Sequence, residues 1–194
     1  ADLQFTDTLS KDVEVLMLCV GHGEAAVFLK ENEINKDTVL IDLSQDFRLQ
    51  SSDMEGRDFV YGMPEVNKGK IMSSKSIANP GCFATAIQLA LLPLASAKQL
   101  TDVHITGITG STGAGQKLQQ SSHFSWRENN IQAYKTLCHQ HEAEVLQTLS
   151  GLQHGFSDLS FVPWRGDFTR GIYLTAYCKS DLSEQELKQL YSSF

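Results

Sequence analysis

Residues 13–20 (Val-Glu-Val-Leu-Met-Leu-Cys-Val) form an apolar run of strand length, followed at once by Gly21-His22-Gly23 and a helix-compatible stretch over 24–31. A second short apolar run, Val39-Leu40-Ile41-Asp42-Leu43, continues the alternation of strand and helix that builds a parallel α/β layer. From residue 50 to 75 the chain is polar, with Asp53, Glu55, Arg57, Asp58, Lys68, Lys70 and the turn-prone Asn67-Lys68-Gly69, and it reads as a surface excursion. Residues 83–92 are apolar nearly all round except at Thr85 and Gln88, which predicts a helix surrounded by protein. After it come a strand at 103–109, a glycine-rich loop at 110–115, a helix at 139–149, and strands at 159–163 and 171–178. Ser183 with Glu186 three residues on forms a capping box that opens a last helix.

Composition narrows the functions open to such a chain. Its 194 residues, 41% of them hydrophobic, suffice for a real core, and 16 Lys+Arg against 23 Asp+Glu give a net charge of −7. That sign is wrong for a phosphate-collecting surface, so nucleic acid is an unexpected partner. The uncharged run at 76–97 is interrupted by Asn79, Pro80, Gly81, Gln88 and Pro93, which favours a turn and a buried helix over a membrane span. Cysteines 19, 82, 138 and 178 are widely spaced without a CxxC pair and read as free thiols in a reducing, cytoplasmic setting. Cys19 and Cys178, inside strand-like runs, read as small buried hydrophobes.

Three constellations carry candidate chemistry. Gly21-His22-Gly23-Glu24-Ala25-Ala26 fits a dinucleotide-binding turn between strand and helix, with Asp42 at about the ~20-residue spacing of a ribose-binding acid, but a plain turn fits equally well. Gly110-Ser111-Thr112-Gly113-Ala114-Gly115-Gln116-Lys117 nearly matches a nucleoside-triphosphate loop; Lys117 comes one place late and Leu118 replaces the magnesium-binding hydroxyl, leaving a loop of small residues whose amides a ligand could touch. Asn79-Pro80-Gly81-Cys82-Phe83-Ala84-Thr85 is the third. It sets Cys82 at the start of the buried helix, where roughly half a positive charge from the helix macrodipole favours a nucleophilic thiolate.

His139-Gln140-His141 with Glu144 adds an imidazole at a helix start and a carboxylate three residues from His141 that can orient it. Cys138 beside the pair invites a metal reading, but no second cluster at ligand spacing follows, and no metal is expected. Arg127, Arg165 and Arg170 are candidate cations for an anionic substrate.

In order along the chain, Gly21-His22-Gly23, the segment from Leu40 to Leu49, Tyr61-Gly62-Met63-Pro64-Glu65, the cysteine turn from Ala78 to Thr85, Gly110 to Gly115, Tyr134, His139-Gln140-His141 with Glu144, and Arg170-Gly171 resemble the N-acetyl-γ-glutamyl-phosphate reductases. These are arginine-biosynthesis enzymes related to aspartate-semialdehyde dehydrogenase. The resemblance implies an α/β fold of two parts. Residues 1–80 would be a partial NADP-binding Rossmann-like domain whose first strand and pyrophosphate turn are missing. Residues 81–194 would be an α+β catalytic and dimerisation domain with a mixed sheet, like that of glyceraldehyde-3-phosphate dehydrogenase, with its C-terminal part missing. It further implies Cys82 as nucleophile, His139 or His141 as acid/base, and Glu144 orienting it or meeting substrate. NADP would be held by Gly21, His22, Gly23, Ser111, Gly113 and Ala114. Asn79, Tyr134, Arg127 and Arg170 would hold an acyl phosphate, and the assembly would be a homodimer or dimer of dimers. The sequence departs from the family at Ala143, where proline is usual, and at Trp164-Arg165-Gly166-Asp167, where a more apolar stretch is usual. Aspartate-semialdehyde dehydrogenase, a Cys82/His141 hydrolase without nucleotide, and an inactive dimerisation module are the competing readings.

Overall fold

The computed structural model describes residues 4–50, 54, 56–115 and 117–194. Part of the polar stretch, including Asp53 and Glu55, and Gln116 of the glycine-rich loop lie outside the described residues. The chain divides into two compact units, Ala1–Pro80 and Gly81–Phe194.

In the first unit the opening apolar run becomes β1 (Val15–Leu18), the following helix is α1 (Glu24–Glu31), and the second run is β2 (Val39–Asp42). The polar stretch is not only a surface excursion. It contains β3 (Val60–Tyr61) and α2 (Pro64–Ser73), with Tyr61 and Met63 buried, and β4 (Ser76–Ala78) follows just ahead of Asn79-Pro80-Gly81. The strands make a parallel sheet in the order β1-β2-β4-β3. Leu18, Ala25, Phe47 and Ala78 form its core, with the Phe47 and Phe59 rings stacked 4.1 Å apart.

The second unit starts with α3 (Cys82–Ser96), the buried helix read from the sequence, which continues through Pro93. The N–H that proline lacks would have served the carbonyl of Leu89, and Leu89 is the large apolar side chain of α3 left exposed, at 47%. Then come β5 (Val103–Thr109), a 3₁₀ turn at Ser111–Ala114, α4 (Phe124–Arg127), β6 (Gln132–Ala133), α5 (His141–Leu152), β7 (Leu159–Arg165), β8 (Ile172–Tyr177) and α6 (Glu184–Ser192). The sheet is mixed, in the order β6-β7-β5-β8, with β5 and β7 parallel and both outer strands antiparallel to their neighbours.

Alternation along β5 sends Val103 and Ile105 into the core with Phe161 of β7, where α3 packs against α5. Thr106, Ile108, Val162 and Trp164 line the other face, around a hollow of 430 Å³ that Ile131 completes. The Ser183–Glu186 capping box forms at α6, and the Tyr191 hydroxyl donates to the Ala90 carbonyl (2.6 Å), tying α6 to α3.

Candidate active site

Two helices of the second unit begin at one place. Cys82 is the first residue of α3 and is exposed, while His141 is the first residue of α5 and is buried. Gly81, between the nucleophile turn and α3, makes this possible, because a Cβ there would stand where the His141 ring lies. Glu144, one turn along α5 and 2% exposed, accepts the Gly81 N–H at 2.9 Å through Oε2 and sets Oε1 3.8 Å from His141 Nε2. A carboxylate at the junction of two positive helix ends is electrostatically well placed. The structure therefore brings Cys82, His141 and Glu144 together.

His139 sits behind His141. Its Nδ1 accepts the His141 backbone N–H at 3.2 Å, which puts the proton of the neutral ring on Nε2, and its own N–H donates to Glu142 Oε1 at 3.0 Å. The ring packs edge-on against Phe83, Tyr134, His141 and Phe161 and is 5% exposed. Burial, then the neighbouring His141 and Lys135, lower its pKa to about 4, so it is neutral at physiological pH. Of the two candidate acid/base histidines, His139 is a packed, neutral support and His141 stands beside the nucleophile turn.

Tyr134 is half-buried, and the Arg165 guanidinium carbon lies 4.6 Å from its ring centroid. Burial raises the phenol pKa, with Arg165 opposing and Cys82 adding to the rise. Arg127 is not available in the way the sequence suggested. It is buried, its Nε donates to the Ser121 carbonyl (3.2 Å) and its Nη1 to the Arg165 carbonyl (2.9 Å), while Nη2 is buried without a partner among the described residues. Arg170 is exposed on the segment that covers Gly110. In the first unit, Asn79 donates its backbone N–H to the Asp42 carbonyl (2.8 Å) and its side-chain amide to the Pro80 carbonyl (3.1 Å), with the residue itself exposed.

The expected amide cradles are closed. The N–H groups of Gly110, Ser111 and Thr112 donate to the carbonyls of Gly171, Phe168 and Thr169, and those of Gly113 and Gly115 donate within the turn. The Ser111 and Thr112 hydroxyls donate to Gly166 and Thr169. Gly110 is required by close approach, since a Cβ there would stand 2.7 Å from the Arg170 nitrogen and the Thr169 oxygen.

At α1, Asp46 takes the N–H groups of Gly23 (2.7 Å) and Ala26 (3.2 Å), Glu24 takes that of Gly21 (2.9 Å), and His22 Nδ1 accepts from Gln45. Asp42 is fully buried on Ser44, with burial raising its pKa, so it is no ribose ligand. The amides of Gly21, Gly23 and Ala26 in the first turn, and of Gly110 to Gly113 and Gly115 in the second, already have protein acceptors, so they are not open to a phosphate.

Cys19 and Cys178 depart from the buried role expected of them. Each lies just past its strand, Cys19 exposed and Cys178 half-buried, and all four thiols are free. Among the described residues no three His, Cys, Asp or Glu side chains gather as a metal site, and no helix is long and apolar enough to cross a membrane. The sequence offered Arg165 as one of three candidate cations, and its placement over Tyr134 needed coordinates.

Comparison with known proteins gives this geometry a context. Residues 1–74 match the family model for the semialdehyde dehydrogenase NAD binding domain, and 82–194 that for the semialdehyde dehydrogenase dimerisation domain. The chain is 52% identical over 196 aligned positions to an N-acetyl-gamma-glutamyl-phosphate reductase of Flavobacterium johnsoniae, and 47% identical to one of Bacteroides thetaiotaomicron. All of the chain is covered, and it spans 60% of the length of each relative. Among solved structures, aspartate semialdehyde dehydrogenase II from Vibrio cholerae superposes with a TM-score of 0.65 at 14% identity, over 94% of this chain and 61% of that one. The Francisella tularensis aspartate semialdehyde dehydrogenase gives 0.65 at 17%, over 92% and 62%. Those structural likenesses speak for the α/β fold alone. With both of its units matched by the two domain models, the chain belongs to the semialdehyde dehydrogenase family.

Proposed function

We propose that the protein reduces an N-acyl-γ-glutamyl phosphate to the N-acyl-glutamate semialdehyde and phosphate with NADPH, a step of arginine biosynthesis in the cytoplasm. The observation that carries this reading is the meeting of exposed Cys82 with His141 and Glu144 where two helices start. The relatives named for that reaction support it. Residues 1–80 form the cofactor-side domain and 81–194 the catalytic and dimerisation domain. The apolar face around Thr106, Ile108, Val162 and Trp164 supports association with a second copy of the chain.

His141 takes the proton from Cys82, and the sulfur attacks the acyl carbon. The carbon–oxygen bond to phosphate breaks, phosphate leaves, and a thioester remains on Cys82. The first-turn amides of α3, which a helix leaves without internal partners, are the donors for the oxyanion. Glu144 holds Gly81 and balances the positive charge that His141 acquires. Gly21, His22 and Gly23 in the first unit, and Ser111, Gly113 and Ala114 in the second, would hold NADPH, which would supply the hydride for the thioester carbon. Cys82 then departs as thiolate, the aldehyde is freed, and His141 returns the proton to sulfur. Asn79 and Tyr134 are the uncharged substrate contacts in this reading.

The test is a full-length enzyme carrying this sequence, assayed for NADP⁺ reduction with the semialdehyde and phosphate together. Turnover that needs both supports the proposal. Preference for aspartate semialdehyde, or ester hydrolysis without nucleotide, would replace it with one of the other readings.

A further inference from the structure

Arg165 ends β7, in register with Thr109 on one side and Gln132 on the other, and Arg127 donates to its carbonyl. Its backbone is therefore fixed from three directions. The side chain is half-buried on the Tyr134 ring, Nη1 makes one long bond to Ser121 Oγ (3.4 Å), and Nε is buried without a partner. Among the described residues no carboxylate pairs with it. The acids of this unit that do form ion pairs hold other groups: Asp102 holds His104 and Lys179, Glu144 faces His141, and Glu184 holds Lys188.

A guanidinium drawn partly out of water without a counter-ion is unfavourable on its own, and such groups persist where a ligand brings the missing charge. Its position suits a ligand at the nucleophile: Tyr134, over whose ring it lies, packs edge-on against His139, which packs on His141 beside the Gly81–Cys82 turn. The contact with the Tyr134 ring holds the guanidinium in place, and its remaining N–H groups are suited to an anionic oxygen.

We propose that Arg165 is an anchor for a substrate oxyanion, a carboxylate or a phosphate, beside Cys82. The assignment rests on the reductase reading and adds to it the residue that recognises substrate charge. Of the other arginines named for this task, Arg127 has two of its nitrogens on backbone carbonyls and Arg170 lies exposed.

The reaction run from semialdehyde, phosphate and NADP⁺ separates the two anions, since the semialdehyde carries the carboxylate and phosphate is a second reactant. In the full-length enzyme, Arg165→Met, which still covers Tyr134, is expected to raise one KM by ~10- to 100-fold, far beyond the change in the other KM or in kcat. A rise for semialdehyde assigns the carboxylate, and a rise for phosphate assigns the phosphate. Arg165→Lys is expected to recover part of the loss. The same split is read without turnover by titrating inorganic phosphate and N-acetylglutamate calorimetrically into wild type and Arg165→Met. If wild type binds or turns over and both affinities in Arg165→Met stay within about twofold, the anchor is overturned and Arg165 only packs on Tyr134. A wild type that binds these anions but does not reduce NADP⁺ overturns the reductase reading instead.

Discussion

The His141 ring occupies the space in which a side chain at Gly81 would begin. The glycine before the nucleophile is thus set by an imidazole rather than by backbone strain, since its φ of −65° is open to any residue. Gly81→Ala must push His141 away from Cys82. We expect kcat/KM to fall by ~100-fold with the circular dichroism spectrum retained, which steady-state kinetics on the full-length variant will check.

Cys82→Ser is expected to remove turnover by a factor on the order of 10³ or more without loss of stability, because the side chain is exposed and supports no packing. Cys19→Ser, also exposed, should stay within about 0.5 kcal/mol of wild type, and half-buried Cys178→Ser should cost about 1 kcal/mol. Parallel urea titrations and assays of the three variants separate these roles. Equal loss of activity in all three would contradict them.

His139 links acid to unfolding. Its folded pKa, about 4, lies below the ordinary value of 6.5, so the unfolded chain binds the proton more tightly. Its stabilising effect is complete above pH 6.5 and is lost as pH falls from 6.5 toward 4, by roughly 3 kcal/mol in all. His139→Gln should flatten the pH dependence of the urea midpoint across that window. An unchanged slope would show that the ring is not held neutral.

Arg127→Met removes the donors to the carbonyls of Ser121 and Arg165. We expect a loss of about 2–3 kcal/mol in stability, measured by urea unfolding, with the side chain too enclosed to serve as a first contact for substrate.

What the sequence revealed depended on how strongly each segment carried its own pattern. α1, α3 and β5 follow their periodicities closely, and the Cys82 turn was readable because Asn79, Pro80 and Gly81 end one element just before an apolar helix begins. α2 was not readable, since Pro-Glu-Val-Asn-Lys-Gly-Lys-Ile-Met-Ser buries none of its residues and so has no apolar stripe; Pro64 at its first turn was the one signal. β4 is three residues long and is made a strand by β2 and β3 on either side. The choice between His139 and His141 needed coordinates, because residues two apart at a helix start differ in surroundings rather than in spacing. In the glycine-rich loop after β5 small residues announce close approach, and what approaches Gly110 is the protein's own backbone at Thr169 and Arg170, which the sequence does not reveal.

The turn after β5 is closed on the 166–171 segment by its own backbone and hydroxyl hydrogen bonds. Its amide hydrogens should exchange slowly with deuterated solvent. Shape at this shelf is settled during folding. Substitution there can then act through the outward side chains alone, without rebuilding the platform that carries them.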